Sequence, residues 1–346
     1  MAKETLSKAK EAKNDEFYTQ YHDIEREVEA YLEYNPDVFR DKTILLPCDD
    51  PEWSNFTRYF AQNFQRLGLK KLISTSYAPE SKRYKGPIQL TLFETEAPQY
   101  DPDKTKTNGK IFVLDSDTNG NGCINLDDLQ WQYLEGDGDF RSREVTLLRD
   151  EADIIVTNPP FSLFREFLAW IVEANKNFLI IGHQNALTYK EVFPLIKRNE
   201  IWLGKGFKGG ATHFHSYYTD YAVASDHKEG MIRVSGVVWF TNIDHGRRHQ
   251  PLQLMTMEDN LKYSRHKEIK GRAAYDHYDN YDAIEVPYTD AIPSDYEGAM
   301  GVPVSFLDKY CPEQFEIIKF RKGDDDKDLC VNGKCPYFRI LIRRKH

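Results

Sequence analysis

The sequence predicts an α/β protein built on a doubly wound, mainly parallel sheet. The first observation is a series of short β-branched apolar runs in the first half: Thr43–Pro47 (TILLP), Lys71–Ser74, Lys110–Leu114, Asp153–Thr157 (DIIVT) and Phe178–Gly182 (FLIIG). The second is that Ser54–Leu67 and Leu163–Ala174 carry aromatic and aliphatic residues at three- and four-residue spacing, the period of a helix. Strands alternating with helices give a mainly parallel sheet. Such sheets take ligands beyond the carboxyl ends of their strands, so the residues just after each strand are the first candidates for function. Ile201–Leu203 and Val237–Thr241 (VVWFT) extend the same sheet. From about residue 244 the pattern turns irregular and tyrosine-rich, which predicts one domain over 1–243 and a second module over 244–346.

The 346 residues, 40% of them hydrophobic, suffice for one large core or two modest ones. No apolar run approaches the roughly 18 residues of a membrane span. The polar start MAKETLSKAKEAKNDEF lacks the apolar centre of a secretory signal. Five scattered cysteines suit a reducing compartment, and a cytoplasmic location is expected. A net charge of −9 argues against a nucleic-acid partner until its distribution is considered. Asp115–Asp153 holds eleven acidic residues against three arginines. By contrast, His245–Arg272 holds seven Lys/Arg against three acids, and Lys319–His346 nine against four. Screening acts over about 8 Å at physiological salt, so a basic surface remains compatible with DNA.

Asp153–Phe161, DIIVTNPPF, is the most informative segment. A buried strand runs directly into Asn158-Pro159-Pro160-Phe161. Two consecutive prolines fix two φ angles and remove two N–H donors, and each disfavours the helical region for the residue before it. The product is a stiff turn that presents carbonyl oxygens, an amide and an aromatic ring at the ligand edge. That set suits a planar aromatic amine, whose lone pair is conjugated into the ring. Acceptors from Asn158 and the Pro159 carbonyl would hold its N–H groups and turn the lone pair toward an electrophile. Phe161 would stack on a base rotated out of a duplex.

The segment resembles the amino-methyltransferases, and most closely the EcoRI-type adenine-specific DNA methyltransferases, over nearly the whole chain. The resemblance implies a fold of the S-adenosylmethionine-dependent methyltransferase type, with S-adenosylmethionine as cofactor, double-stranded DNA as partner and a C-terminal recognition module. It implies N6-methylation of a flipped-out adenine by direct displacement, in a restriction-modification, phage or host-modification setting. Residues are carried over one by one. NDEFYTQ (Asn14–Gln20) resembles the segment that closes over the cofactor's methionine end, through Tyr18 and Thr19. The turn PCDDPEWSNF lacks the glycines of the general class but is similar to the EcoRI-type turn, giving Asp49, Asp50 and Asn55 as cofactor contacts. The strand LISTSY ends without the acidic residue that grips the ribose, and Ser76 stands in that place. GDGDF (Gly136–Phe140) resembles the element whose aspartate accepts from the cofactor's adenine amine, here Asp139 with Phe140 in preference to Asp137. Met300–Ile317 and Arg339–Lys345 resemble the family's C-terminal part. The loop Gly204–Gly210 (GKGFKGG) follows a late strand, as does the loop that contacts the flipped base in related enzymes, which makes Phe207 a candidate substrate contact.

In the basic module, Arg247 and Arg248 are candidates for reading base edges, with Arg265, Lys267, Lys270 and Arg272 on phosphates. No metal is expected. Asp117–Asp128 (DTNGNGCINLDD) fits a calcium-loop template, but a strand precedes it and an aspartate closes it, so an acidic surface turn is the reading. His213 and His215 lack a close third ligand, and Cys330 and Cys335 read as a hairpin with two reduced thiols. A monomer with no obligate protein partner is expected. Two alternatives remain: an RNA or protein amino-group methyltransferase using the same turn, and a catalytically silent DNA-binding module.

Overall fold

The computed structural model describes residues 19–47, 49, 54–78, 97–207, 211–215, 231–335 and 338–345; Tyr18 and Asp50 lie outside them. In chain order the elements of the first half are α1 (Tyr21–Tyr34), β1 (Thr43–Leu46), α2 (Asn55–Gln62), α3 (Phe64–Leu67), β2 (Lys71–Thr75) and α4 (Lys104–Thr107). There follow β3 (Lys110–Leu114), β4 (Gln130–Tyr133), α5 (Arg143–Glu151), β5 (Ile154–Thr157), α6 (Phe164–Glu173) and β6 (Asn177–His183). The remainder comprises α7 (Phe193–Lys197), β7 (Trp202–Leu203), β8 (Ala211–His215), β9 (Met231–Ser235), β10 (Val237–Thr241) and α8 (Met257–Tyr263). It ends with β11 (Ala283–Glu285), β12 (Ala299–Pro303), β13 (Phe315–Phe320) and β14 (Arg339–Arg344).

Two compact units emerge: Met1–Ala186 with Gly204–Ile243, and Leu187–Leu203 with Asp244–His346. The break after Ile243 coincides with the change in sequence pattern, but Leu187–Leu203 belongs with the C-terminal unit. Side-chain packing explains this exchange. Phe193 lies 5.0 Å from Phe320, Trp202 lies 3.6 Å under the Arg248 guanidinium, and His245 Nε2 meets the Leu203 carbonyl at 2.9 Å.

In the first unit, β2, β1, β5 and β6 are neighbours and parallel, with Leu45 in register between Ile73 and Ile155. The flanks differ: β10 runs antiparallel to β6, β3 to β2 and β4 to β3. The sheet is therefore mixed, with its parallel part at the centre, where β1 and β5 are buried along their whole length. Strand β4 (QWQY) escapes a pattern search because it is a four-residue edge strand with only Trp131 fully buried. Its connection to β3 contains only a 3-10 turn, Leu126–Asp128, so the chain returns antiparallel instead of crossing over. One core joins Ile24, Val28 and Tyr31 of α1 and Phe56, Tyr59 and Phe60 of α2 to Leu46, Val156, Ile181 and Trp239 of the sheet.

The second unit is built on a sheet in the order β11-β12-β14-β13, with β11 and β12 parallel and the remaining pairs antiparallel. Arg339 pairs with the buried Glu285 at 2.6 Å, and Tyr278 also donates to that carboxylate. Cys330 and Cys335 form a disulfide, which corrects the expectation of two reduced thiols. The intervening turn brings them together, with Val331 and Lys334 exchanging backbone hydrogen bonds around Gly333 at φ +72°. Among the described residues, no helix is long and apolar enough to cross a membrane.

Candidate active site

Strand β5 ends at Thr157, whose hydroxyl donates to the Pro47 carbonyl at 2.9 Å and to the Asp49 carboxylate. The other carboxylate oxygen of Asp49 accepts from the Ser54 hydroxyl at 2.8 Å. Ser54 in turn accepts from the Phe56 N–H and caps α2, while the Ser74 hydroxyl donates to the Asp49 carbonyl. Asp49 is buried, and its polar atoms bind together the ends of β1, β2 and β5 and the start of α2. The sequence marked Asp49 as a cofactor contact; in the structure its carboxylate accepts from Thr157 and Ser54. A hydroxyl residue at the strand end and a Ser N-cap were the available signals for its partners.

Asn158 follows directly. Its Nδ2 lies 3.4 Å from the hydroxyl of Thr19, and the buried Thr19 also accepts at its carbonyl from Asn55 Nδ2 at 2.8 Å. Three residues chosen from separate motifs thus meet at the carboxyl end of the central strands. The Pro160 carbonyl accepts from the Leu163 N–H at 2.9 Å, closing a 3-10 turn over Phe161–Leu163. No backbone N–H of a described residue donates to the Pro159 carbonyl. Phe161 is half-buried and edge-on to His183 at 6.4 Å. Behind it Phe164 sits against Gly182, where a Cβ would strike its ring, and 4.9 Å from Phe240. This contact seats α6 on the sheet and fixes where the Asn-Pro-Pro-Phe turn ends.

At the end of β2, the Ser76 hydroxyl is buried and accepts from the Lys110 N–H at 3.1 Å. Its carbonyl lies against Gly109 and Gly138, and Gly138 has φ +82°; any side chain there would collide with it. Asp139 follows this turn. Its two oxygens take Arg141 Nε at 2.9 Å and Nη2 at 2.7 Å. That hydrogen bonding, outweighing partial burial, raises the Arg141 pKa further. Asp137 spends one oxygen on the Asp139 N–H at 3.1 Å. Phe140 is buried 5.0 Å from Phe167 and 5.6 Å from Trp170, so its ring anchors the turn in the core.

The Gly204–Phe207 part of the glycine-rich loop is held by a buried side chain; Lys208–Gly210 lie outside the described residues. Glu27, fully buried on α1, accepts the N–H groups of Lys205 (3.0 Å) and Gly206. Phe207 (φ +41°) stacks parallel on Trp239 at 5.6 Å. Sequence reasoning missed Glu27 because a glutamate in a helix reads as solvated. In the second unit, Arg248 is buried against Trp202 and bonded to Asn199 and Asp244. Arg247 is held by Asp308 at 2.6 Å. Both arginines that were candidates for reading bases are therefore engaged inside their own unit. Lys267 and Lys270 are exposed, as is Arg265, which pairs with Asp290.

The loop Asp117–Asp128 directs its carboxylates at its own backbone. Asp128 accepts from the N–H groups of Thr118, Asn119 and Asn125, and Asp117 from those of Gly120 and Gly122. No cluster of three His, Cys, Asp or Glu residues able to hold a metal occurs among the described residues.

Hydroxyl and amide groups of Thr19, Asn55 and Asn158 gather at the carboxyl end of the central strands, and the Asp139 carboxylate follows a turn at Gly138 that tolerates only glycine. Residues 5–345 match the family described as adenine-specific methyltransferase EcoRI. The chain is 45% identical to Type II methyltransferase M.EcoRI of Escherichia coli, covering 98% of this chain and 96% of that protein. It is 33% identical to Type II methyltransferase M.MpnI of Mycoplasma pneumoniae, covering 98% of each. No solved structure matches it. The turn, its partners and a match along nearly the full length lead to one assignment: the chain belongs to the EcoRI-type family of adenine-specific methyltransferases.

Proposed function

We propose that this enzyme methylates the exocyclic N6 of adenine in double-stranded DNA, using S-adenosylmethionine. The observation that carries the reading is the meeting of Asn158, Thr19 and Asn55 at the carboxyl end of the central strands. When bound, the cofactor supplies an electrophilic methyl group on sulfur. Thr19 and Asn55 hold its methionine end, and Asp139 accepts from its adenine amine. Asn158 and the Pro159 carbonyl accept the two N–H bonds of the target amine, which turns its lone pair out of conjugation. Phe161 stacks on the flipped base and keeps water away. Preorganised acceptors of this kind cost nothing to reorganise during reaction.

The second unit supplies DNA recognition in this reading. With Arg247 and Arg248 engaged, the exposed Lys267 and Lys270 with Arg265 are its phosphate contacts. The test is incubation with labelled S-adenosylmethionine and mixed DNA, RNA and protein acceptors, followed by nucleoside analysis. N6-methyladenine in duplex DNA is expected. Only N4-methylcytosine, or label confined to RNA or protein, overturns the reading.

A further inference from the structure

We propose that Glu27 is a positioning residue that fixes the Gly204–Phe207 loop relative to the Asn158 turn, and so sets where the target base is held. The inference rests on the proposed methyl transfer and adds a residue to it that no motif contains. Glu27 is fully buried, and its carboxylate accepts from two successive loop N–H groups, those of Lys205 and Gly206. Tyr31 donates to the same carboxylate at 2.8 Å. Burial, then the neighbouring carboxylate, keeps the Tyr31 phenol protonated well above its usual range, so it remains a donor. A buried carboxylate is costly unless hydrogen bonds satisfy it, and this one is satisfied by the loop and by its own helix.

Loop shape is matched to that group. A Cβ at Gly204 would collide with the Glu27 carboxylate, and one at Gly206 would sit 2.9 Å from it and 3.0 Å from Trp239 Nε1. Phe207 then adopts φ +41° and stacks on Trp239, a left-handed backbone that a phenylalanine seldom takes unaided. The same helix begins beside the catalytic turn. Thr19, which contacts Asn158, and Gln20, which donates to the His213 carbonyl of β8 at 2.6 Å, immediately precede α1. Thr19 and Gln20 are non-helical and lead into α1, which carries Glu27 in its second turn. The segment entering α1 therefore holds the cofactor-side residue of the proposed site, and α1 itself holds the loop anchor. Any shift of α1 moves both sides of the site together.

Glutamine at position 27 keeps one acceptor oxygen but turns an NH2 toward an N–H donor. The experiment compares Glu27→Gln and Gly206→Ala with the parent, so that the loop is perturbed from both sides. Hydrogen exchange of segment 204–207, S-adenosylmethionine affinity by calorimetry, and kcat on unmethylated plasmid DNA are measured. Both variants are expected to exchange the Lys205 and Gly206 amides at least about tenfold faster. Their kcat falls roughly 10- to 100-fold, as a small misplacement of reacting groups can cause, with cofactor affinity within about twofold of the parent. Unchanged exchange and kcat in both variants overturn the proposal, as does an equal loss of cofactor affinity and kcat. A parent enzyme that leaves no N6-methyladenine refutes the methyl-transfer reading instead, and the exchange measurement still judges Glu27.

Discussion

The amide of Asn158 reaches the hydroxyl of Thr19 at 3.4 Å across 139 positions of sequence. One residue follows the central strand β5 and the other precedes helix α1, so the contact exists only when the sheet is assembled. In the proposed mechanism it joins the residue that would align the target amine to the segment that would close over the methionine end of the cofactor. Four expectations follow from this and neighbouring contacts.

In the proposed mechanism the Asn158 amide is a preorganised contact to the reacting amine. Asn158→Ala should lower kcat by roughly 10²-fold or more, the scale of losing one such group. Thr19→Val removes the long bond to Asn158 and the hydroxyl proposed to hold the cofactor's methionine end, and should cost less in kcat than Asn158→Ala while weakening S-adenosylmethionine binding more. Steady-state kinetics and cofactor titration separate the two. Near-normal turnover in Asn158→Ala would remove the residue from the catalytic assignment.

Asp139 is held by a two-point pair with Arg141. A charge-assisted hydrogen bond from the cofactor's adenine amine is worth about 1.5–3 kcal/mol. Asp139→Ala should therefore weaken S-adenosylmethionine affinity about ten- to a hundredfold. Arg141→Ala should weaken it less, because Arg141 orients the acceptor without being one. Equal losses in the two variants, or a larger one in Asp137→Ala, would show that the acceptor is wrongly chosen.

The arginines and lysines of the second unit should separate into two behaviours. Arg248→Ala removes one of the partners of Asp244 and the partner of the Asn199 side-chain oxygen and exposes the face of Trp202, so its main effect is a lower thermal midpoint. Lys267→Ala and Lys270→Ala should leave stability alone, weaken binding to all duplexes alike, and each reduce the salt slope of binding by about one. Salt titrations on several duplexes give the answer. Two lysine variants indistinguishable from the parent would move the phosphate contacts elsewhere.

His249 lies between Asp244 at 2.8 Å and Glu313 at 2.7 Å. Burial lowers its pKa, but hydrogen bonds to the two carboxylates outweigh this and the net shift is upward. A raised folded-state pKa contributes stability fully below the unfolded value of about 6.5 and loses it as pH rises through the folded value. The thermal midpoint of His249→Gln should thus lie furthest below the parent under mildly acidic conditions, with the gap closing as pH rises past neutrality. Asp244 and Glu313 face the ring, Arg248 and Cys311 are bonded to those carboxylates, and all four are unchanged in the variant. A gap independent of pH would show that His249 acts by packing alone.

The sequence alone determined the parallel centre of the sheet, because buried runs such as TILL and DIIVT satisfy a local pattern that requires no knowledge of neighbours. It also determined the reactive turn, since two prolines after a strand constrain the backbone whatever surrounds them. Tertiary structure decided everything that depends on what a side chain meets. Asp49 became a frame when Thr157 and Ser54 arrived at its two oxygens, and Arg248 was buried in its own unit when Trp202 came under it. The antiparallel flanks rest on strand pairing, and the segment Leu187–Leu203 changes unit because Phe193 and Trp202 find their partners there. Burial of Glu27 is the clearest case: its carboxylate is satisfied because two loop amides, distant in sequence, converge on it beside the Tyr31 phenol of its own helix. Such convergence is a property of distances in the folded chain, and spacing along the sequence carries no record of it.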